Sequence, residues 1–392
     1  MKDDTRIVRG GTLPRPDLRF PQPPVHHAST ILFENLAALR ARGAMRSGDG
    51  LSYAVHGTPT TYALEQAIAG LEGGYRTRLG SSGVQALSGP LLSYLSAGDH
   101  VLLPDAVYGN TRQIAERMLA RMGVETTFYD PLIGGGIRAL IRPTTRVVFC
   151  ESPGSGTFEV QDVPAIAEEA HRAGALVMLD NTWASPLYFR AFEHGVDVSI
   201  QAVTKYLSGH SDLVMGAVTT TEAAYPALQK GWRDLGLSAT PDDAYLALRG
   251  LRTLHLRLPR HWANGLRLGE WLMGRAEVAE VLHPAMPHDP GHAVWARDFR
   301  GAGGLFAFVL DEGLSSEAHL AALIDRLELF GLGFSWGGHE SLILPVEPER
   351  TATAWPRPGR ARGALVRLFA GLEDPDDLIA DLAAGFARLH AV

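Results

Sequence analysis

The stretch Leu176-Val177-Met178-Leu179-Asp180-Asn181-Thr182 is a short apolar run that ends in a carboxylate. Further short apolar runs occur at Val101–Leu103, Val147–Cys150 and Val196–Ile200, and a helical pattern covers Pro164–Ala173, before Gly174. Alternation of short apolar strands with helices predicts an α/β fold, with a mostly parallel central sheet and helices on both faces. Ligands bind such sheets at the carboxyl ends of the strands, which is where Asp180 lies.

The chain has 392 residues, which exceeds the usual size of one hydrophobic core. Residues 1–57 contain several prolines and no sustained periodicity, so we expect an extended N-terminal arm. Residues 58–251 carry the alternating pattern. Residues 252–392 carry helical patterns at 262–272 and 317–330, a strand-like run at 305–310 and a last amphipathic helix, and they predict a smaller C-terminal α+β domain.

The bulk composition excludes several classes of protein. A net charge of −7 spread over the whole chain gives no strong field for nucleic acid or acidic membranes. No apolar run approaches the roughly 18 residues that span a bilayer, and the amino terminus lacks the basic segment of a signal peptide. Cys150 is the single cysteine, at a predicted strand end. We expect a cytoplasmic protein.

Lysine is rare in this chain, with three lysines against 33 arginines. Only Lys205, in Val203-Thr204-Lys205-Tyr206, lies in an apolar setting close to groups that could take part in chemistry. An amine that forms an imine and an acid that holds a pyridinium proton are what a pyridoxal phosphate site requires. Arginine cannot replace that amine, because it stays protonated. Taken alone, Lys205 is better explained as a buried stem with its amine at the rim than as a catalytic residue.

Two further features fit the same site. Ser81-Ser82-Gly83-Val84-Gln85 precedes a helical pattern, and free amides at a helix start bind phosphate, although an ordinary N-cap is the simpler interpretation. The Thr204 hydroxyl could add a contact to the phosphate. Tyr108 follows another predicted strand end and could stack on an aromatic cofactor or lie at the rim. His283, His288 and His292 are separated by prolines, so we predict no metal site.

The longest ordered motifs are Asp180-Asn181-Thr182-Trp183-Ala184 and Ala202-Val203-Thr204-Lys205-Tyr206-Leu207-Ser208-Gly209-His210-Ser211-Asp212. With them the chain resembles, from Pro23 to Phe386, the pyridoxal-phosphate enzymes of cysteine and methionine metabolism. The resemblance implies the fold type I architecture and a homotetramer. It implies that Lys205 carries the cofactor, Asp180 pairs with its ring nitrogen and Tyr108 stacks on the ring. The phosphate would be held by Gly83, Val84, Thr204 and a neighbouring subunit's Tyr53, and the substrate by Arg367, Trp336 and Ser335.

Two local features resemble the cystathionine β-lyase branch of that family. Trp336 follows Ser335 in Phe334-Ser335-Trp336-Gly337, and Glu151-Ser152-Pro153-Gly154-Ser155 lacks the Asn-Pro of relatives that act at the γ-carbon. This branch cleaves L-cystathionine to homocysteine, pyruvate and ammonia. The alternatives are a γ-acting relative, an aminotransferase of the same fold and an inactive homo-oligomeric scaffold.

The arm departs from the family pattern. Where the family usually has Tyr-x-Arg-x-Gly-Thr, this chain has Tyr53-Ala54-Val55-His56-Gly57-Thr58. Val55 cannot donate a hydrogen bond to the phosphate, and the loss of one charge-assisted bond corresponds to about 1.5–3 kcal/mol. Either the cofactor is held less tightly or another cation takes over, with His56 as the nearest candidate.

Overall fold

The computed structural model describes residues 1–11, 21–41 and 50–392. The strands are β1 (Arg76–Gly80), β2 (His100–Pro104), β3 (Glu125–Tyr129), β4 (Thr145–Glu151), β5 (Leu176–Asp180), β6 (Val198–Gln201), β7 (Gly216–Thr220), β8 (Val278–Leu282), β9 (Leu305–Leu310), β10 (Gly331–Leu332), β11 (Leu342–Val346) and β12 (Leu365–Phe369). The α-helices are α1 (Asp3–Arg9), α2 (Leu36–Ala41), α3 (Pro59–Glu72), α4 (Gly83–Tyr94), α5 (Gly109–Gln113), α6 (Val163–Arg172), α7 (Ser185–Tyr188), α8 (Tyr225–Asp234), α9 (Pro241–Leu251), α10 (Leu254–Met273), α11 (His292–Asp298), α12 (Glu317–Ile324) and α13 (Pro375–Leu389). A π-helix (Ile114–Leu119) continues α5, and short 3₁₀ helices cover Ala54–His56, Gly134–Leu140, Ala191–His194 and Glu312–Leu314.

The large sheet has seven strands in the order β1-β7-β6-β5-β4-β2-β3. Only the pairs that include β7 are antiparallel, so the prediction of a mostly parallel sheet is confirmed. The four strands predicted from apolar runs are β2, β4, β5 and β6. Apolar residues cover both faces, one packed against α3 and α6 and the other against α4 and α8.

The second sheet has five strands in the order β10-β11-β12-β9-β8. Its β9 is the strand predicted at 305–310, and α13 is the predicted last helix. Helix α10 begins at Leu254 rather than at 262, because it continues through Pro259. Helix α12 ends at Ile324 rather than at 330, since the Asp381 carboxylate accepts the Glu328, Leu329 and Phe330 amides instead.

The N-terminal segment differs from the predicted extended arm. Asp3–Arg9 is a helix that packs against α3, with Ile7 buried and Asp3 paired to Arg190, so the prediction of an extended chain is wrong there. Pro14 and Pro16, on which that prediction partly rested, lie outside the described residues. Within the described residues, no helix is long and apolar enough to cross a membrane.

Candidate active site

Helix α4 begins at the loop that follows β1. Ser82 caps it, because its hydroxyl accepts the amide hydrogen of Gln85 at 3.1 Å. The amides of Gly83 and Val84 occupy the first helical positions, where no intrahelical partner exists. A Cβ on Gly83 would lie 3.0 Å from the Ala202 Cβ, so glycine lets this helix start approach the segment before Lys205. The predicted helix start is therefore present at the cavity, and its binding of a phosphate stays a prediction.

Asp180 ends β5, with its carboxylate on the cavity that α4 borders. Its Oδ1 accepts hydrogen bonds from the Thr182 amide at 3.0 Å and the Thr182 hydroxyl at 2.5 Å. Among the described residues none donates to Oδ2, which stays available to a ligand. Burial raises the pKa of Asp180, although the Thr182 bonds and the Lys205 charge lower it.

Lys205 lies in the turn after β6, and its Nζ donates to the Ser335 hydroxyl at 2.6 Å. The amine lies 5.2 Å from the Trp336 ring centroid. Burial and the positive charge of Arg367 lower the pKa of Lys205 to about 8, and the Asp180 charge opposes them. A lysine with this pKa has a substantial neutral fraction near neutral pH, as a nucleophile or base requires.

The loop that carries Ser335 and Trp336 lies directly against the lysine turn. A Cβ on Gly337, which has a φ of +86°, would be 2.9 Å from the Lys205 Cα, so only glycine allows this approach. Ser335 itself has a φ of +80°. The Trp336 ring packs edge-on against Tyr206, with 5.3 Å between ring centroids. This backbone geometry holds Ser335 within hydrogen-bonding distance of the Lys205 amine.

Arg367 and Tyr108 reach the cavity from the five-stranded and the seven-stranded sheet, respectively. Arg367 lies on β12, and its Nη2 donates to the Ser335 carbonyl at 3.1 Å. Tyr108 precedes α5, and its amide donates to Glu151 Oε2 at 2.8 Å. Burial lowers the pKa of Arg367 and raises that of Tyr108.

These side chains enclose one cavity of about 270 Å³. Of the residues that the sequence predicted for the site, the cavity is lined by Gly83, Val84, Tyr108, Asp180, Thr204, Lys205, Ser335, Trp336 and Arg367. The Thr204 hydroxyl bonds to the Met215 backbone, at 3.1 Å to its carbonyl and 3.0 Å from its amide. Tyr53 does not line the cavity of its own chain and is half exposed, so its contact with a neighbouring subunit stays a prediction.

Glu151 also lines the cavity, and the sequence analysis did not assign it to the site. It ends β4 as Asp180 ends β5, so the strand-end signal that identified Asp180 was available for Glu151 as well. Burial and the neighbouring Asp180 charge raise the pKa of Glu151 well above its ordinary value.

Other chemistry-bearing residues lie away from this cavity. Within the described residues, no group of three or more His, Cys, Asp and Glu side chains is arranged to hold a metal ion. Burial lowers the pKa of His283 to about 3. Cys150 is fully buried in β4, and burial raises the pKa of its thiol to about 12, so it is a core residue as predicted.

Comparison with known proteins gives this arrangement its context. The family model described as Cys/Met metabolism PLP-dependent enzyme matches residues 4–387. The chain belongs to this family. The cystathionine beta-lyase of Escherichia coli K12 is 42% identical over 392 residues, which cover 99% of each protein. The L-alanine/L-glutamate racemase of Wolbachia pipientis is 39% identical over 398 residues, with 99% of this chain and 98% of that protein covered.

Solved structures of this family share the fold. The crystal structure of cystathionine gamma-lyase from Lactobacillus plantarum, complexed with L-serine, superposes with a TM-score of 0.89 at 30% identity over 100% of both chains. The fold type I architecture expected from the resemblance is therefore confirmed.

The residues of the cavity fit pyridoxal phosphate, the cofactor of this family. Lys205 supplies an amine of lowered pKa, and Asp180 supplies a carboxylate oxygen without a donor among the described residues. The start of α4 supplies unpaired amides where a phosphate could bind. One amine, one acid and one anion-binding helix start are the donor set that this cofactor requires.

Proposed function

We propose that this protein is a pyridoxal-phosphate-dependent carbon-sulfur lyase that cleaves L-cystathionine by α,β-elimination to homocysteine, pyruvate and ammonia. The observation that carries the proposal is the Lys205 amine, which contacts Ser335 and lies beside Trp336 in the cavity that Asp180 and Arg367 also line. The 42% identity to a cystathionine beta-lyase over nearly the whole chain supports it.

Asp180 and Lys205 would hold the cofactor. When bound, it supplies an electron sink that stabilises negative charge at the substrate Cα. The free Oδ2 of Asp180 is the acceptor available to a protonated ring nitrogen. A carboxylate in a buried setting makes a strong charge-assisted hydrogen bond to such a donor. Thr182 keeps this carboxylate oriented through its two bonds to Oδ1.

Lys205 is the group best placed to move protons. With its pKa lowered to about 8, the free amine of Lys205 can accept the substrate Cα proton and can afterwards donate a proton to the leaving sulfur. Ser335 holds Nζ at 2.6 Å and so defines its direction. Thiols have pKa values near 8.5, so a homocysteine thiol is a tolerable leaving group that a proton improves.

Arg367 would bind the α-carboxylate of the substrate. Its planar fork bonds to the Ser335 carbonyl through Nη2 and retains further N–H donors for a carboxylate. The bond to Ser335 ties the carboxylate-binding residue to the loop that also holds the Lys205 amine. The function of this arrangement is to orient the Cα–H bond, and orientation of this kind contributes to rate more than to affinity.

Incubation with L-cystathionine tests the proposal. Pyruvate and a free thiol in equal amounts, from protein reconstituted with the cofactor, are the expected products. The β-elimination assignment is wrong if 2-oxobutyrate forms instead, because that product requires γ-cleavage. Borohydride reduction should fix the cofactor mass on the peptide that contains Lys205.

The racemase relative provides a second candidate function, because both reactions begin with removal of the Cα proton. L-alanine has no β-leaving group, so its conversion to D-alanine measures this activity without interference from elimination. We propose elimination as the main activity, since Trp336 and the Gly154-Ser155 sequence both resemble the β-lyase branch. Racemisation of L-alanine that is faster than cleavage of every thioether would reverse this assignment.

We further propose that the protein is cytoplasmic and forms a homotetramer, built from two dimers whose subunits share active sites. The half-exposed Tyr53, which does not line the cavity of its own chain, supports a site completed by a neighbouring subunit. The single, buried cysteine is compatible with a reducing compartment. Light scattering of the holoenzyme measures the assembly.

A further inference from the structure

Asp105, the first residue after β2, has a buried carboxylate that the proposed chemistry does not use. The residue is 1% exposed and lies three positions before Tyr108. Two of its hydrogen bonds come from within its own loop and helix, where Arg112 Nη2 donates to the Asp105 carbonyl at 3.0 Å and to Oδ1 at 2.7 Å. This pairing fixes the start of the Tyr108 loop against α5.

The remaining partners of Asp105 lie far away in the sequence. They belong to the strap, residues 347–364, which connects β11 to β12. Three consecutive strap amides donate to the Asp105 carboxylate: Thr351 at 2.8 Å to Oδ1, and Ala352 at 3.0 Å and Thr353 at 2.8 Å to Oδ2. The Thr353 hydroxyl adds a bond of 2.7 Å to Oδ2. Consecutive amides directed at one carboxylate form a concave anion-binding site.

The strap leads directly into the strand that carries Arg367. Residue 364 precedes β12, and Arg367 is the third residue of that strand. The Ala106 carbonyl accepts the Ser155 amide at 2.7 Å and the Tyr108 amide donates to Glu151, so these bonds hold the Tyr108 loop against the end of β4 and the loop after it. Asp105 links the Tyr108 loop to the element bearing Arg367, and Arg112 adds bonds from α5 to the Thr351 hydroxyl at 2.9 Å and the Glu349 carbonyl at 3.4 Å.

We propose that Asp105 is a positioning residue that sets the distance between Tyr108 and Arg367 across the cavity. Its contacts to the strap make the large-sheet and small-sheet sides of the site move as one unit. Hydrogen bonds from Thr353, Arg112 and the Thr351 amide outweigh the effect of burial and hold the pKa of Asp105 below its ordinary value, so the carboxylate stays ionised at neutral pH. The proposal rests on the lyase function only for its kinetic readout.

Asp105→Asn in the holoenzyme tests this role, because an amide nitrogen would face strap amides that also donate. We expect KM for the thioether to rise at least fivefold and the visible circular dichroism of the bound cofactor to change, at full cofactor loading. We also expect faster hydrogen exchange in residues 105–112 and 349–355. Thr353→Val, which removes one of the bonds, should shift KM in the same direction by two- to threefold.

Arg360→Ala is the matched control, since Arg360 anchors the strap to Glu280 at 2.7 Å and not to the Tyr108 loop. It should leave KM and the dichroism band unchanged. If Asp105→Asn lowers only the melting temperature, with wild-type KM and dichroism per cofactor-bound subunit, the residue is merely structural and the proposal is overturned. If Asp105→Asn does not fold, Thr353→Val is the test instead, and wild-type KM and dichroism in that variant would overturn the proposal. If the wild-type protein does not cleave thioethers, only the lyase function is refuted. Hydrogen exchange and the visible circular dichroism of the bound cofactor still test whether Asp105 couples the Tyr108 loop to the strap.

Discussion

Glu151 and Asp180 are register partners on the neighbouring parallel strands β4 and β5, and both carboxyl groups line the same cavity. Two like charges this close cannot both ionise cheaply in a buried site. Asp180 has the Thr182 bonds and the Lys205 charge to stabilise its anion, whereas Glu151 accepts only the Tyr108 amide among the described residues. Ionisation is therefore less costly for Asp180 than for Glu151, and we expect the negative charge of the pair to lie on Asp180.

For this reason we expect Glu151→Gln to have almost no effect on catalysis. Glutamine is neutral and keeps an oxygen that can accept the Tyr108 amide, so we expect kcat/KM within about threefold of wild type from pH 6 to 8. Glu151→Ala removes the acceptor and leaves a buried amide unpaired, which costs about 1–3 kcal/mol. Thermal unfolding and steady-state kinetics measure both effects. A hundredfold loss in the glutamine variant would show that the enzyme uses a charge on Glu151.

The rate of cofactor attachment should report the pKa of Lys205. Because only the neutral amine attacks an aldehyde, the rate constant should rise with pH and level off above about 8. Arg367→Met removes a positive charge that disfavours the ammonium, so its midpoint should move to higher pH. Asp180→Asn removes an opposing negative charge and should move the midpoint to lower pH.

Visible absorbance after mixing the apoprotein with cofactor measures these rates. Lys205→Arg should form no borohydride-stable adduct, whereas Lys230→Arg, on the exposed side of α8, should behave as wild type. Midpoints that are the same in the wild type, Arg367→Met and Asp180→Asn would contradict the electrostatic origin of the low pKa.

Glu72 provides a prediction for stability. This residue is 2% exposed at the end of α3, and its Oε1 accepts bonds of 3.0 Å from both Ser199 and Gln201. Burial raises the pKa of Glu72 from 4.5 to about 7, against the opposing effects of Ser199, Gln201 and Arg190. Between pH 4.5 and 7 the Glu72 carboxyl is ionised in the unfolded chain but protonated in the native one. The native state therefore loses stability as the pH rises from 4.5 to 7.

Glu72→Gln should remove this loss. We expect its free energy of unfolding to match wild type near pH 5 and to exceed it by about 2–4 kcal/mol at pH 8, given about 1.4 kcal/mol per pKa unit. Urea unfolding at the two pH values measures the difference. The control Glu168→Gln, at an exposed position, should show no such difference from wild type. A Glu72→Gln variant that is less stable than wild type at pH 8 would refute the raised pKa of Glu72.

The strands at the centre of the large sheet could be predicted from sequence because their runs are apolar and end in polar residues. Strands β1 and β7 were not predicted, because they carry buried polar side chains. Thr77 and Thr219 bond to each other at 2.7 Å across these strands, and Arg78 pairs with Glu65 at 3.6 Å. Such pairs satisfy each other in three dimensions, but in the sequence they resemble solvated positions.

The same limit applies to the site. Asp180 and Lys205 could be found locally, since each follows a strand that the sequence shows. Arg367 required the family resemblance, because only the packing of β12 between β11 and β9 directs it into the cavity. Asp105 also follows a predicted strand, but its role could not be predicted, since its partners in the strap lie more than 240 residues away.

Val55 marks the position where the family usually has an arginine, and it lies in the 3₁₀ helix directly after Tyr53. In the proposed oligomer with shared active sites, Val55→Arg should supply a cation for the cofactor phosphate of a neighbouring subunit. One charge-assisted bond of about 1.5–3 kcal/mol corresponds to roughly 10- to 150-fold tighter binding. Fluorescence titration of the apoprotein measures the dissociation constant. Val55→Leu, of similar shape and without a donor, is the control, and equal affinities in the two variants would mean that another group already occupies this role.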